Sequence, residues 1–407
     1  MRLVFVHRRG IGQFEHLARS LVAEGADVTL VTETVDRRIE GVRILRHRAE
    51  AARSEAEAPL VASSHHARIG MRVAETLDAL RRAEGAPDLV LGHIGWGSMT
   101  FVKDVLPRTP ALGYCEFFYS AEGADIGFDP AVPVDLALRQ RLRLRNSAQL
   151  VTLAAIEAGV SPTAWQKSLY PAALQPRIAV CHDGIDLARF RPDPRATLTL
   201  PDGRVLRPGA PVVTFTARDL EPYRGFPQAL RAAEIVTRRH PTALVVFVGG
   251  DGVSYGTPRA DGRSWKEAAL AAADLDPARV LFPGRVSHAA LIRLFQISAA
   301  HLYLTYPFVL SWSMLEAMAC GALVIGSATP PVEEVIADGR NGRLVPFFDA
   351  EALAETVLDV LARPDAALPL RRAGRATIAA RYRLDAALAR QRRLIAHLTA
   401  RRGTAAA

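Results

Sequence analysis

The sequence predicts an α/β protein of two domains, each a parallel sheet with crossover helices. Three observations predict it. The chain has 407 residues, and at about 100–200 residues per domain this is too long for one core. Short apolar runs alternate with helical patterns in both halves, which is how parallel sheets are built. Between the halves, 191–211 is rich in Pro, Arg, Gly and Asp, the composition of an interdomain linker, with room for a small hairpin. We place a first domain at 1–200, a second at 201–383, and a helix with a tail at 384–407.

Arg2 to His7 reads as the first strand. It runs into Arg8-Arg-Gly-Ile-Gly-Gln13 and a helical pattern over Phe14–Ala23. Strand, glycine loop and helix resemble the opening of a Rossmann unit, although the third glycine of the dinucleotide fingerprint is absent. Val28–Val31 follows as a strand. Residues 47–86 read as helical, interrupted at Ser63-Ser-His-His66, and adjacent histidines do not share a helix face for a metal. Asp88–Gly92 is a strand ending at His93. Ala111–Tyr114 is another, ending near Glu116. Polar groups at the C-terminal ends of parallel strands are site candidates. His93 also reads as a satisfied strand-end histidine. Asp125 and Asp129 lack Asp-x-Asp spacing, so no metal site is expected. Leu136–Gln149 is a basic helix with arginines at 139, 141, 143 and 145, a solvated face or a docking face for an anionic acceptor or membrane. Val151–Ala155 reads as a strand, and Ser161-Pro162 as a helix start. Ile178–Val180 is a strand leading to Asp183-Gly184, where glycine permits a tight turn.

The second half repeats the alternation. Val212–Ala217 is a strand, with Arg218 at its end and Glu221-Pro-Tyr-Arg224-Gly225 opening a helix. Ala243–Gly250 is a strand, followed by a Gly- and Asp-rich insert, 253–264, expected to be a mobile loop. Val280–Phe282 is a strand followed by Pro283-Gly-Arg-Val286. Next come strand 299–304, a turn at Pro307, a helix over 312–320 stopped by Gly321, and strand 322–325. Asn341-Gly342 marks a hairpin-like turn, amphipathic helices occupy 351–362 and 370–381, and a final basic helix about 384–400.

The stretch 303–326 carries the chemistry. The turn Val309-Leu310-Ser311 would offer backbone N–H groups at a helix N-terminus, where an anion is favoured. Glu316 can accept hydrogen bonds from two neighbouring hydroxyls, as on a ribose. The same residues also read as an ordinary capping box, Ser313-x-x-Glu316.

The run Leu315-Glu-Ala-Met-Ala-Cys-Gly321, with Glu333-Glu-Val-Ile336 and Asn341-Gly342, resembles the donor signature of GT-B glycosyltransferases, and among them the retaining family 4. The resemblance covers nearly the whole chain and is strongest over 210–345. It implies two Rossmann-like domains facing a central cleft, with the last helix crossing back to the first domain. Glu316 is then the ribose ligand and Val309 to Ser311 the phosphate loop. Arg218, with Arg224 where the family usually has Lys, clamps the diphosphate, and guanidinium can do so bidentately. Arg285 and Val286 lie by the base, Gly10 and Gly12 by the donor phosphates or acceptor. Cys181-His-Asp-Gly184 matches the family's strand-end segment, with Asp183 in place of Asn. His93 and Glu116 stand on the acceptor side, where Glu116 can orient a hydroxyl or accept its proton. The family's second Glu, eight positions before Glu316, is Phe308 here.

Composition narrows the partners. The net charge of +9 suits phosphates or an anionic membrane face. There is no zinc-finger, RNP or basic-heptad pattern, which disfavours nucleic acid. The three cysteines are widely spaced, so neither a disulfide framework nor a zinc site is expected, and a reducing cytoplasm is. No apolar run approaches the ~18 residues that span a bilayer. Together with these, the resemblance implies a metal-independent, cytoplasmic hexosyltransferase without a resident cofactor, working at the inner membrane face or away from it. Its donor is a UDP- or GDP-type nucleotide sugar, and its acceptor is a glycan, a lipid-linked molecule or a small molecule. The role implied is polysaccharide or cell-surface glycan synthesis. The alternative is a non-catalytic GT-B-like scaffold that binds nucleotide or glycan, motivated by Phe308.

Overall fold

The structure is a computed structural model that describes residues 1–48, 58–200 and 203–404. Residues 49–57 of the expected 47–86 helical stretch and the tail after 404 lie outside the described residues, and 47–48 are not helical. Two compact units divide the chain, Met1–Gly184 with Leu384–Ala407, and Ile185–Arg383.

In the first unit the strands are β1 (Arg2–Val6), β2 (Asp27–Thr32), β3 (Val42–Arg46), β4 (Leu89–His93), β5 (Ala111–Tyr114), β6 (Ala158–Ser161) and β7 (Ile178–Val180). All pair in parallel, in the order β3-β2-β1-β4-β5-β6-β7. Strands covered on both faces need continuous apolar runs, and β1 and β4 supply them: Leu3, Val4, Phe5, Leu89, Val90 and Leu91 are all buried. One core lies on each face. The first gathers Phe5, Phe14, Leu17 and Leu30 with Ile395 and Leu398 of the C-terminal helix Leu384–Thr404. The second gathers Val4 of β1 with Ile69, Val73 and Leu77 from helix Ala58–Glu84.

A two-residue-strand hairpin, β8 (Leu198–Thr199) and β9 (Val205–Leu206), precedes the sheet of the second unit. That sheet holds β10 (Val212–Asp219), β11 (Leu244–Gly250), β12 (Val280–Gly284), β13 (Ala300–Tyr303), β14 (Leu323–Ser327) and β15 (Arg343–Val345). It is also all parallel, in the order β12-β11-β10-β13-β14-β15. In both sheets the strand order reverses beside the first strand, between β1 and β4 and between β10 and β13. Open α/β sheets bind ligands beyond the strand ends at such a switch point.

Several expectations are corrected. The division falls at Gly184/Ile185 rather than 200/201, because Ile185, Phe190, Ala196 and Leu200 are buried in the cores of the second unit. The segment 191–211 is thus part of that unit and not a free linker. Val151–Ala155 is not a strand but the end of helix Leu136–Ala155, capped by Asp135. Its apolar residues split between the two sides, with Leu153 buried and Val151 exposed. Ser63–His66 do not interrupt helix Ala58–Glu84. Asn341-Gly342 joins the parallel pair β14 and β15, so it is no hairpin turn. Among the described residues no helix is long and apolar enough to cross a membrane.

Candidate active site

The switch point of the first unit is lined by histidines. His93 closes β4, and its Nδ1 accepts the Gly95 N–H at 3.0 Å. The proton must therefore sit on Nε2, which donates to Glu116 Oε2 at 3.2 Å. The imidazole is held flat by Trp96, stacked at 3.9 Å between centroids. Gln166 donates to the Glu116 carbonyl at 2.6 Å, fixing the backbone that carries the carboxylate. Glu116 keeps a third of its side chain exposed, so a neutral donor supports it from behind while it can still accept from a hydroxyl in front.

His7, just past β1, completes this cluster. It meets His93 edge-on at 5.8 Å and Trp96 at 5.1 Å. Its Nδ1 faces the Arg9 and Gly10 carbonyls at 2.9 and 3.2 Å. Burial, then the neighbouring His93, lower its pKa to about 4. Gly10 and Gly12 shape the turn around it, both at positive φ. A Cβ on Gly12 would lie 2.5 Å from the His7 ring. Neither His7 nor Trp96 was singled out from sequence. The criterion that selected His93, a polar residue at a parallel strand end, applies equally to His7. Asp183 lies elsewhere in this unit, buried and accepting from the Tyr114 hydroxyl at 3.0 Å. Gly184, at φ +94, passes Leu384 too closely for any side chain.

The second unit holds most of the residues expected on the donor side. Arg218 stands exposed at the end of β10 with no hydrogen bond or ion pair to the described residues. Arg224 differs from the expected phosphate grip. It is buried, donating from Nη1 to Tyr303 Oη and Thr305 Oγ1 at 3.2 and 2.8 Å, and from Nη2 to the Val309 carbonyl at 3.1 Å. It therefore organises the loop 305–311. Tyr255 and Phe308 cover its guanidinium, at 4.9 and 5.8 Å from the ring centroids. Phe308 is buried edge-on against Tyr223. The position of the family's second Glu is thus filled by an aromatic cluster.

The loop itself is partly spent on structure. The Ser311 N–H donates to Tyr303 Oη at 2.7 Å, and the Leu310 side chain belongs to the core. The N–H groups of Val309 and Leu310 donate to no described group. Ser311 caps helix Trp312–Ala319 by accepting from Ser313 N. The capping-box reading of Ser313-x-x-Glu316 therefore fails: the cap lies two residues earlier, and Glu316 does not fold back onto it. Glu316 is instead a largely buried carboxylate with the His288 imidazole 3.8 Å away. Arg285 pairs with Asp219 at 2.7 Å, and Val286 packs against the core.

Glu221, expected from the sequence only to open a helix, holds the insert. Fully buried, it accepts the N–H groups of Ser254, Tyr255 and Gly256 at 3.0, 3.0 and 2.9 Å. The Ser254 hydroxyl donates to Asp219. Burial pushes the Asp219 carboxyl up, but Ser254 and Arg285 outweigh it and hold it below its ordinary value. The insert expected to be mobile is tethered at its base by two carboxylates. No group of metal-ligating side chains occurs among the described residues.

Comparison with known proteins agrees with this architecture. Residues 24–190 match the family described as "Glycosyl transferase family 4 group", and residues 203–377 match "Glycosyl transferases group 1". The GDP-mannose-dependent alpha-(1-6)-phosphatidylinositol monomannoside mannosyltransferase of Mycolicibacterium smegmatis is 27% identical over 287 residues, 66% of this chain and 67% of that protein. The D-inositol 3-phosphate glycosyltransferase of Mycolicibacterium paratuberculosis is 32% identical over 241 residues, 56% of this chain and 51% of that one. The chain thus spans between half and two thirds of these relatives. Sucrose-phosphate synthase from Thermosynechococcus elongatus superposes with a TM-score of 0.75 at 20% identity, covering 98% of this chain and 99% of its own. Anabaena HepE, solved with UDP and glucose, gives 0.70 at 14% identity, covering 98% and 100%. These likenesses show the GT-B fold, two Rossmann-like α/β domains. The chain belongs to the group 1 glycosyltransferases of family 4.

Proposed function

We propose that the protein transfers a glycosyl unit from a nucleotide sugar to an acceptor hydroxyl, with retention, in polysaccharide or cell-surface glycan synthesis. The observation that carries this reading is Glu316, a largely buried carboxylate outside any capping box, seven residues after the Val309 N–H in the order of the family signature. A largely buried carboxylate to which no described group donates a hydrogen bond is costly. Two ribose hydroxyls would supply the missing hydrogen bonds. The names of the relatives, a GDP-mannose-dependent mannosyltransferase among them, support a nucleotide-sugar donor.

In this reading the second unit binds the donor. Arg218 and the Val309 and Leu310 N–H groups, at the positive end of helix Trp312–Ala319, stabilise charge on the departing diphosphate. Arg224 keeps the loop in place and adds its charge from behind. These groups supply the positive charge without a metal. The bond from the anomeric carbon to the diphosphate oxygen breaks with its electron pair leaving on the diphosphate, and a bond to the acceptor oxygen forms. The acceptor proton passes to a base, for which Glu116, supported by neutral His93, is the group offered by the first unit.

The test is melting with a panel of UDP-, GDP-, ADP- and dTDP-sugars, with and without EDTA, plus an assay of nucleotide release. One base should stand out, insensitive to EDTA. Glu316→Ala should weaken that donor about ten- to a hundredfold, the worth of hydrogen bonds to a charged group. Arg218→Ala should slow acceptor-dependent release roughly a hundredfold. A panel with no response, or a donor shift unchanged in Glu316→Ala, would refute the assignment. The buried Phe308 cluster favours the second reading, a binding scaffold, and donor binding without acceptor-dependent release would establish it.

A further inference from the structure

Across from Glu316 stands His288. Its Nε2 lies 3.8 Å from Glu316 Oε1. That separation is too long for a hydrogen bond and too short for an atom in line between the two, which would need roughly 5.5 Å. An oxygen set to one side, about 2.8 Å from each, is within hydrogen-bond reach of both. A ligand hydroxyl suits the two neighbours together: it donates its proton to the carboxylate, and its lone pair accepts from the imidazole N–H.

The fold holds this pair in place. His288 is the first residue of helix His288–Ile297, which Ser287 caps by accepting the Ala290 N–H at 3.2 Å. Leu291 and Ile292, one turn on, pack into the core that holds Met314, Leu315 and Met318 of the helix carrying Glu316. Close packing between the two helices therefore sets the spacing of imidazole and carboxylate. The His288 ring rests against buried Phe190, with centroids 5.6 Å apart, which limits its swing. The His288 side chain is 47% exposed and that of Glu316 11%. A ligand can thus reach the imidazole from solvent and meet, behind it, a carboxylate shielded from water. As an ion pair at this distance, with one partner half in water, the two contribute little to stability.

We propose that His288 is a second ribose-binding residue, donating from Nε2 to the hydroxyl that Glu316 Oε1 accepts from. Resting on the donor reading of Glu316, this singles out one hydroxyl of the diol, held from two sides, and leaves the other to Oε2. A nucleotide lacking that hydroxyl would leave both the carboxylate oxygen and the imidazole unpaired, which is how a polar site rejects a deoxy analogue.

The experiment is titration calorimetry on the full chain with UDP, GDP and ADP, each with its 2′-deoxy and 3′-deoxy forms. His288→Phe keeps a ring against Phe190 and removes both nitrogens. It should weaken the ribonucleotide that binds by about three- to tenfold, the worth of one hydrogen bond. With one of the two deoxy forms, wild type and variant should bind alike, and with the other the loss should persist. Full affinity for the ribonucleotide in His288→Phe would overturn the proposal. So would an equal effect with both deoxy forms, which would move the imidazole's contact to the base or the phosphates. Glu316→Ala on the same ligands separates the two readings. Unchanged ribonucleotide affinity in Glu316→Ala sinks the ribose reading and this inference with it; lost affinity there beside full affinity in His288→Phe sinks the role of His288 alone.

Discussion

Glu221 offers the sharpest quantitative test. Glu221→Gln keeps the shape of the side chain but leaves one acceptor oxygen where there were two. In the native protein Oε1 accepts from Ser254 and Tyr255 and Oε2 from Gly256, all within 3.0 Å. The amide oxygen can serve one side only, and the amide nitrogen then faces a backbone N–H as donor against donor. Hydrogen bonds to a charged group contribute about 1.5–3 kcal/mol each, and a buried donor left unpaired costs about 1–3 kcal/mol. Loss of at least one such bond therefore destabilises the base of the insert by roughly 2–4 kcal/mol. Opening there is local, so amide exchange of Ser254, Tyr255 and Gly256 is the assay. Exchange should accelerate roughly thirtyfold to several hundredfold at about 1.4 kcal/mol per factor of ten. Tyr255 should also loosen over Arg224. Unchanged exchange at these three amides would refute the assignment of Glu221 as the tether.

Two further outcomes follow from the first unit. His7 and His182 are held neutral by burial, with pKa values of about 4 against an ordinary 6.5. The unfolded chain binds more protons between those values, so stability is full above about pH 6.5 and lost as pH falls towards 4. By pH 5 each costs roughly 2 kcal/mol. The urea midpoint should fall between pH 7 and 5, and less steeply in His182→Gln; equal slopes would exclude this origin. Gly12→Ala should destabilise by about 1–3 kcal/mol, from the left-handed backbone and the His7 contact together. Gly25→Ala is the control, since Gly25 has φ +84 but nothing within 4 Å. Equal denaturant midpoints for the two variants would remove the His7 contact from the account.

Strands buried on both faces were readable because their apolar runs are unbroken, as in β1, β4, β10 and β14. The edge strand β3 was not read. Val42-Arg-Ile-Leu-Arg46 mixes exposed and half-buried residues, and such a strand is set by its neighbour β2 rather than by its own pattern. The run Val151–Ala155 looked like a strand because β-branched residues favour one, but helix Leu136–Ala155 reaches it with its hydrogen-bond ladder already built. In the site, residue types were legible and their employment was not. That Arg224 turns inward follows from Tyr303 and Thr305, some eighty residues away in the chain. The choice between capping box and free carboxylate for Glu316 turned on whether Ser311 or Ser313 caps the helix, and both sequences of events fit the same letters. His7 satisfied the criterion applied to His93 and was absorbed into its strand.

The chain leaves the first unit at Gly184 and re-enters it at Leu384, and these two points touch. Ile395 and Leu398, from the re-entering helix, lie in the core with Phe5 and Leu30. On the ribosome the order of completion is therefore inverted. The second unit, continuous in sequence, has all its core residues translated while the first, begun earlier, still lacks two of its own. Until helix Leu384–Thr404 is translated, the apolar face around Phe14, Leu17 and Leu91 has no cover from it. On the nascent first unit that uncovered face is apolar surface for a chaperone to shield.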